Sequence, residues 1–178
     1  MRIIAGKYRG KKLLSLGDTD IRPTADRVKE SVFQILSSRL VGARVLDLFC
    51  GSGALGLESL SRGAAEAVFN DKSRESLAVA RKNLAAIGEE ATLLSLDYSA
   101  CLARLDGQFD LVFVDPPYRE DICGKVLGEI VRQKILKENG LVVYESEHEE
   151  KACAGMLRTD LRSYGRTKVS FFAPDKEC

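Results

Sequence analysis

The sequence predicts an α/β fold with a mostly parallel sheet of seven strands and helices on both faces. Short apolar runs rich in β-branched residues alternate along the chain with segments whose apolar residues recur at helical spacing. Most of these runs are apolar at nearly every position, which is typical of parallel strands covered on both faces. No repeat, long linker or low-complexity segment interrupts the alternation. We therefore expect a single domain over residues 24–178, preceded by a basic arm at residues 1–23.

The order of the elements follows from apolar periodicity and from residues that begin or end helices. Thr24 and Ser73 are expected to cap helices, and Gly88 is expected to end one. Gly6 and Gly10 punctuate residues 2–16, which predicts a β-hairpin in the arm. The predicted strands are residues 45–49, 67–69, 93–96, 109–114 and 141–145, followed by two antiparallel strands within 161–173. The predicted helices are residues 25–40, 54–62, 73–87, 99–105, 121–133 and 149–157.

The composition is that of a soluble globular protein, with 45% hydrophobic and 30% charged residues in a chain of 178. No apolar run approaches the roughly 20 residues of a membrane-spanning helix, and the first residues lack the apolar stretch of a signal peptide. The five cysteines are scattered and form no C-x-x-C pair, which argues against a disulfide framework and a zinc site. We therefore expect a cytoplasmic monomer with reduced thiols and no bound metal.

Charge is unevenly distributed along the chain. Residues 1–30 carry a surplus of four basic residues, whereas the whole chain has a net charge of +1, so the rest is net negative by three. A basic terminus on a slightly acidic body indicates a polyanionic partner. The arm is expected to have no role in the core, which leaves its side chains available for phosphate contacts. The candidate contact residues are Arg2, Lys7, Arg9, Lys11, Lys12, Arg22 and Arg27.

A glycine loop follows the first predicted strand of the domain. Residues 51–56 satisfy G-x-G-x-x-G between a strand and a helix, and Asp71 follows 20 residues after Gly51, at the end of the next strand. This spacing predicts a nucleoside-containing cofactor, whose ribose hydroxyls would donate hydrogen bonds to Asp71. Asp47 favours a cofactor with a cationic ammonium and sulfonium over one with a pyrophosphate. Asp97, at the end of the third strand, is a candidate for the adenine amino group, and Cys50 is interpreted as a packing residue.

The stretch from Asp115 to Tyr118, with sequence Asp-Pro-Pro-Tyr, ends the fourth predicted strand. Each proline lacks a backbone donor, so the carbonyl groups of this turn are expected to face the crevice at the strand end. This turn offers a carboxylate, carbonyl oxygens and an aromatic ring, which together suit a planar group that carries an NH2. The amine would donate hydrogen bonds to Asp115 and the Pro116 carbonyl, and the ring would stack on Tyr118. A strand-ending turn capped by an aspartate is the alternative interpretation.

These motifs resemble those of class I S-adenosylmethionine-dependent amino methyltransferases. The likeness rests on the pattern Asp47-x-Phe49-x-Gly51-Ser52-Gly53 and on the tetrapeptide at residues 115–118. Residues 2–13 and 22–30, together with 164–168, are similar to the RsmD family, which methylates a guanine N2 in bacterial small-subunit (16S) ribosomal RNA. The chain departs from that family at Asn70, where an apolar residue is usual, and at Asp71, where Glu is usual.

The resemblance implies a Rossmann-like fold and the cofactor S-adenosylmethionine, with the substrate RNA in a 30S subunit or an assembly intermediate. The residues it implies for the cofactor are Asp47, Phe49, Gly51, Ser52, Gly53, Gly56, Asp71 and Asp97. The residues it implies for catalysis are Asp115, Pro116, Pro117 and Tyr118. Three alternatives remain open from the residues alone: an adenine-N6 methyltransferase, an NAD-dependent oxidoreductase, and a non-catalytic RNA-binding assembly protein.

Overall fold

The structure, a computed structural model, describes residues 1–17, 23–117, 122–153 and 155–176. Two predicted site residues, Arg22 and Tyr118, lie outside the described residues. Within the described ranges, no helix is both long and apolar enough to cross a membrane.

Seven strands form one sheet in the order β3-β2-β1-β4-β5-β7-β6. Pairing is parallel from β3 to β5, and β7 runs antiparallel to both of its neighbours, so the predicted sheet is confirmed. Apolar side chains alternate between the two faces of the central strands, which explains why these strands are apolar throughout. The strands are β1 (Arg44–Asp47), β2 (Glu66–Asn70), β3 (Thr92–Leu94), β4 (Phe109–Val114), β5 (Leu136–Ser146), β6 (Met156–Tyr164) and β7 (Thr167–Pro174).

Helices cover both faces of the sheet, as predicted. The helices are α1 (Pro23–Ile35), α2 (Ser37–Leu40), α3 (Ala54–Ser61), α4 (Arg74–Ile87), α5 (Tyr98–Arg104) and α6 (Cys123–Arg132). Helices α1, α3 and α4 contribute to the core on one face, and α5 and α6 to the core on the other. The predicted caps of α4 are confirmed: the Ser73 side chain accepts from Ser76 N, and Gly88 ends the helix at φ 72°.

Two predicted helices differ from the structure. The predicted helix at 25–40 is divided at Leu36 into α1 and α2, and α1 begins at Pro23, so Thr24 lies in its first turn. The predicted helix at 149–157 was wrong, because Met156 and Leu157 pair with β7 as the start of β6. Gly155 has φ 85°, a left-handed conformation that ends any helical run before the strand.

The described part of the arm, residues 1–17, is called here the N-terminal segment. It closes with a single antiparallel bridge between Arg2 and Lys12, where the sequence predicts a hairpin of two strands. The expectation that it has no role in the core was wrong, because Ile3 is 0% exposed and Leu13 is 7% exposed within the core beside α3 and α4. One apolar residue on each side of the bridge therefore packs into the core of the domain.

A buried carboxylate fixes the N-terminal segment to α3. Glu58, which is 0% exposed, accepts from Ile4 N at 2.8 Å and from Ala5 N at 3.1 Å. It also pairs with Arg62 at 2.8 Å and with buried Lys29 at 3.5 Å. The two backbone donors and two cations satisfy a charge that would otherwise be costly to bury. Burial lowers the pKa of Lys29, against the raising effect of Glu58.

Candidate active site

Four acidic residues lie at the carboxyl ends of four adjacent strands. Asp47 is the last residue of β1, Asp71 and Asp115 directly follow β2 and β4, and Asp97 is the third residue after β3. Because β3, β2, β1 and β4 are neighbours in that order, these ends share one edge of the sheet. The edge at the carboxyl ends of parallel strands is where open α/β sheets bind ligands.

Asp71 connects the end of β2 to the glycine loop. Its Oδ2 accepts from Gly51 N at 2.9 Å, and its Oδ1 accepts from Ser73 N at 2.8 Å. The side chain is half-buried. A carboxylate oxygen has two acceptor positions, so these bonds leave each oxygen able to accept from a ribose hydroxyl. Asp71 stands where the resembled family usually has Glu. Its shorter side chain contacts the backbone of the loop directly.

Asp47 lies beneath the same loop and is only 1% exposed. Its Oδ2 accepts from Gly56 N at 3.0 Å. The pKa of Asp47 is raised to about 7, chiefly by burial and to a smaller extent by the nearby Asp71 charge, against the lowering effect of the Gly56 hydrogen bond. Because Asp47 is buried beneath the loop, the loop would separate it from a cationic cofactor, and the predicted attraction would be electrostatic without direct contact. The charge of Asp47 changes near neutral pH.

The three glycines of the loop have different surroundings. Gly51 has φ 52°, and no atom lies within 4 Å of the position that a Cβ would take, so this backbone can be approached closely. Gly53, at φ 85°, precedes the first turn of α3. Gly56 lies inside α3, where a Cβ would meet Phe69 Cε1 at 2.3 Å. Its physical role is therefore close packing of the helix on the sheet, and cofactor contact at Gly56 stays a prediction.

An aromatic pair lies beside Asp97. The Phe49 and Tyr98 ring centroids are 5.9 Å apart with the planes at 38°. Asp97 is exposed and accepts from Ser99 N at 3.0 Å, where it caps α5. A half-buried apolar wall next to an accessible carboxylate is what an adenine ring and its amino group require. The sequence indicated Phe49 and Asp97 but not Tyr98, although an aromatic residue directly after the acid was a usable signal.

The turn after β4 lies next to the glycine loop, because β1 and β4 are paired. Leu48 N continues that pairing with a bond to Phe113 O at 3.0 Å. Asp115 is half-buried, Pro116 is buried and Pro117 is exposed. The carboxylate of Asp115 is thus placed between the core and solvent, at the strand end nearest to the loop.

The predicted phosphate-binding residues are exposed wherever the structure describes them, namely Arg2, Lys7, Arg9, Lys11, Lys12 and Arg27. Lys7 pairs with Glu89 at 3.6 Å, and Arg2 lies 3.9 Å from Asp26. Arg9, Lys11 and Lys12 form no ion pair with any described residue. These three, together with Arg27, which also has no ion pair in the described part of the chain, are therefore the most available for an external anion.

Cys50 adjoins the loop but is not suited to nucleophilic chemistry. It is 7% exposed and packs in the core. Burial raises the pKa of its thiol, and the charges of Asp47 and Asp71 raise it further, so the thiol stays protonated at neutral pH. The interpretation of Cys50 as a packing residue is confirmed.

Comparison with known proteins identifies the family. The model of the family described as conserved hypothetical protein 95 matches residues 1–173. Ribosomal RNA small subunit methyltransferase D of Escherichia coli (strain K12) is 38% identical over 84% of this chain and 76% of its own length. The chain belongs to the RsmD family.

Two further comparisons cover nearly the whole chain of this RsmD-family member. The "Putative rRNA methyltransferase YlbH" of Bacillus subtilis (strain 168) is 33% identical over 97% of this chain and 98% of its own. The solved structure of the "Putative methyltransferase yhhF from Escherichia coli" superposes with a TM-score of 0.87 at 34% identity, covering 98% of both chains. The fold is accordingly the Rossmann-like one of class I S-adenosylmethionine-dependent methyltransferases.

Two buried amides that sequence reasoning missed support the site of this RsmD-family protein. Asn70 Nδ2 donates to Leu48 O at 3.0 Å and to Leu96 O at 3.2 Å, which ties together the ends of β1 and β3. Asn83, on α4, bonds the glycine loop and the N-terminal segment. In the sequence, Asn70 stands out only as a departure from the family. Asn83 gave no signal, because its partners lie 31 and 69 positions away in the sequence.

Proposed function

We propose that this protein transfers a methyl group from S-adenosylmethionine to the exocyclic N2 of a guanine in small-subunit (16S) ribosomal RNA. The observation that carries the proposal is the position of Asp115 and Pro116 at the end of β4, directly beside the glycine loop that follows β1. Membership of the RsmD family supports the same reaction, since the Escherichia coli relative is named as a small-subunit ribosomal RNA methyltransferase.

The cofactor site fits S-adenosylmethionine. Gly51 leaves open space at the loop, half-buried Asp71 is available to the ribose, and Asp97 with the Phe49–Tyr98 pair is available to the adenine. Bound S-adenosylmethionine supplies a methyl group that its sulfonium makes electrophilic. The chain's own contribution is to hold the cofactor at the loop and to leave the end of β4 for the base.

Asp115 acts on the amine of the base. An exocyclic amine is a poor nucleophile because its lone pair is delocalised into the ring. Hydrogen bonds from its N–H groups to the Asp115 carboxylate and the Pro116 carbonyl favour a pyramidal nitrogen and align it for transfer. Asp115 is also placed to receive the proton that the nitrogen releases. Tyr118, which follows Pro117, would stack on the base after it leaves the RNA stack.

The exposed basic residues of the N-terminal segment dock the RNA. Arg9, Lys11 and Lys12 are exposed and have no ion pair among the described residues, so they can neutralise phosphates without first breaking an internal contact. Arg2, Lys7, Arg22 and Arg27 are the other proposed contacts. The substrate is the RNA within a 30S subunit or an assembly intermediate, and the protein acts as a monomer.

The test uses small ribosomal subunits from cells that lack this protein, methyl-labelled S-adenosylmethionine, and analysis of the nucleosides after digestion. The label is expected in N2-methylguanosine. Asp115→Ala should reduce incorporation about 100-fold or more, because it removes the acceptor for the amine. Its affinity for S-adenosylhomocysteine, measured by calorimetry, should stay within about twofold, since Asp115 faces the base.

Exposed Asp106→Ala provides the control and should keep full activity. Label in N6-methyladenosine would overturn the guanine assignment and leave amino methylation standing. Tight binding of NAD without binding of S-adenosylhomocysteine would favour an oxidoreductase. Binding of RNA and cofactor with no incorporation by the wild-type protein would favour an assembly factor.

A further inference from the structure

We propose that Asn83 is a positioning residue that couples RNA docking to cofactor binding. The inference rests on the proposed function, because it connects the proposed RNA-binding segment to the proposed cofactor loop. Asn83 lies in α4, on the side of the sheet where the N-terminal segment docks, and is 1% exposed.

All the polar atoms of the Asn83 side chain are used. Its Oδ1 accepts from Leu14 N at 2.8 Å, and its Nδ2 donates to Leu14 O at 3.0 Å. The same Nδ2 donates to Ser52 O at 3.0 Å. One amide therefore bonds both backbone groups of a residue in the N-terminal segment and one carbonyl of the glycine loop. A primary amide has two donors and one acceptor oxygen, so a single rotamer satisfies all three bonds.

The Ser52 contact reaches the centre of the cofactor loop. Ser52 lies between Gly51, whose N–H bonds Asp71, and Gly53, which precedes α3. A ligand that orders this loop therefore fixes the position of Ser52 O and, through Nδ2, the rotamer of Asn83.

The Asn83 bonds attach Leu14 to the domain beyond the point where the buried Leu13 docks. The Leu14 side chain is 54% exposed, so burial does little to hold it, whereas the preceding Leu13 is 7% exposed. Exposed Lys11 and Lys12 lie three and two residues before Leu14, and the bridge to Arg2 holds Lys12. A fixed Asn83 rotamer therefore adds a restraint on the backbone directly after these cations, relative to the cofactor loop.

Two ligands that order the same pair of elements bind with positive linkage, and the linkage is reciprocal. S-adenosylhomocysteine should increase the affinity of the protein for the small ribosomal subunit about fivefold or more. The subunit should increase the affinity for S-adenosylhomocysteine by the same factor. The RNA-affinity ratio with and without S-adenosylhomocysteine is thus the quantity to measure.

Two variants break the connection at different points. Asn83→Ala removes all three bonds, so the ratio should fall to about one and S-adenosylhomocysteine alone should bind more weakly. Leu14→Pro removes the Leu14 N–H and its bond to Oδ1, and leaves the Nδ2 bonds to Leu14 O and Ser52 O, so the ratio should fall partway toward one while affinity for S-adenosylhomocysteine alone stays within about twofold. Leu16→Pro is the matched control, because the hydrogen bonds of Asn83 to the N-terminal segment are made with Leu14 and not with Leu16, and it should keep the wild-type ratio.

Thermal unfolding establishes that each variant is folded, and Leu14→Pro decides the question if Asn83→Ala does not fold. A wild-type ratio of one, or an unchanged ratio in folded Leu14→Pro, overturns the inference. Either result leaves the proposed function standing if both ligands bind. Failure of the wild-type protein to bind S-adenosylhomocysteine overturns the proposed function and the inference together.

Discussion

Asp47 makes the stability of the protein depend on pH. Its pKa rises from 3.8 to about 7 on folding, chiefly because the carboxyl group is buried. A group whose pKa is raised on folding binds more protons in the folded state, so its favourable contribution is complete below the unfolded value and is lost as pH rises through about 7. One unit of pKa shift corresponds to about 1.4 kcal/mol, so Asp47 alone should lower the free energy of unfolding by about 2 kcal/mol between pH 5 and pH 8.

Urea unfolding of the wild-type protein and of Asp47→Asn at these two pH values measures the effect. The asparagine cannot ionise, so the variant should lose about 2 kcal/mol less than the wild type over this interval. Exposed Asp106→Asn should follow the wild type. Parallel pH profiles for Asp47→Asn and the wild type would show that Asp47 is already ionised in the folded protein at pH 5.

At the scale of elements, the contact between α3 and β2 depends on Gly56. A Cβ at this position would lie 2.3 Å from Phe69 Cε1, and Phe69 is itself 0% exposed. Gly56→Ala should therefore destabilise the protein by about 1–3 kcal/mol through overpacking, despite the better helix propensity of alanine. Gly128→Ala in α6 is the matched control, because no atom lies within 4 Å of its added Cβ, and it should stabilise by about 0.5–1 kcal/mol. Equal effects of the two substitutions in thermal unfolding would contradict this account.

The attachment of the N-terminal segment to α3 depends on the charge of Glu58. Glu58→Gln leaves buried Lys29 without its counter-ion and should cost about 3 kcal/mol in free energy of unfolding. The same change should accelerate hydrogen exchange at the Ile4 and Ala5 amides, which donate to Glu58. Glu66→Gln breaks a pair with Arg44 in which the Glu66 side chain is 47% exposed, so it should cost about 1 kcal/mol or less. Unaltered exchange at Ile4 and Ala5 in folded Glu58→Gln would show that the other contacts of the segment hold it without the charge of Glu58.

At the scale of the whole molecule, the basic N-terminal segment should dominate the salt dependence of RNA binding. Changing Arg9, Lys11 and Lys12 to Gln should weaken binding to small ribosomal subunits. It should also flatten the plot of log affinity against log salt by about 0.7–0.9 for each phosphate that the variant no longer neutralises. A control variant that changes exposed Arg104, Lys125 and Lys134, which lie in or just after α5 and α6, alters net charge equally on the other side of the sheet. Equal slopes for the two triple variants would remove the N-terminal segment from RNA docking.

Elements whose determinants are local in sequence were predicted well. The strand at 109–114 and the helix between Ser73 and Gly88 were predicted at their observed bounds, because apolar runs and caps fix them. The acids at the strand ends followed from the same patterns. The helix predicted at 149–157 failed because pairing of Met156 with Pro174 outweighed local helix propensity.

The connections between elements could not be predicted, because their partners are distant in sequence. Ile3 is buried only because the N-terminal segment docks on α3, which lies more than fifty residues later in the chain. Glu58 in that helix accepts a hydrogen bond from Ile4 N, 54 positions away. Asn83 lies on the apolar face of α4 and Asn70 ends a buried strand, so periodicity predicts their burial but not their partners. Only the folded backbone shows that each reaches carbonyl groups on two other segments.

The docking of the N-terminal segment also sets an order of events during synthesis. Ribosomes release residues 1–17 before α3 and α4, yet Glu58 bonds Ile4 across 54 positions and Asn83 bonds Leu14 across 69. A nascent chain that has not yet extruded α4 lacks Asn83, the native acceptor for the Leu14 amide. Residues 1–17 therefore reach their final position only after α3 and α4 have left the ribosome.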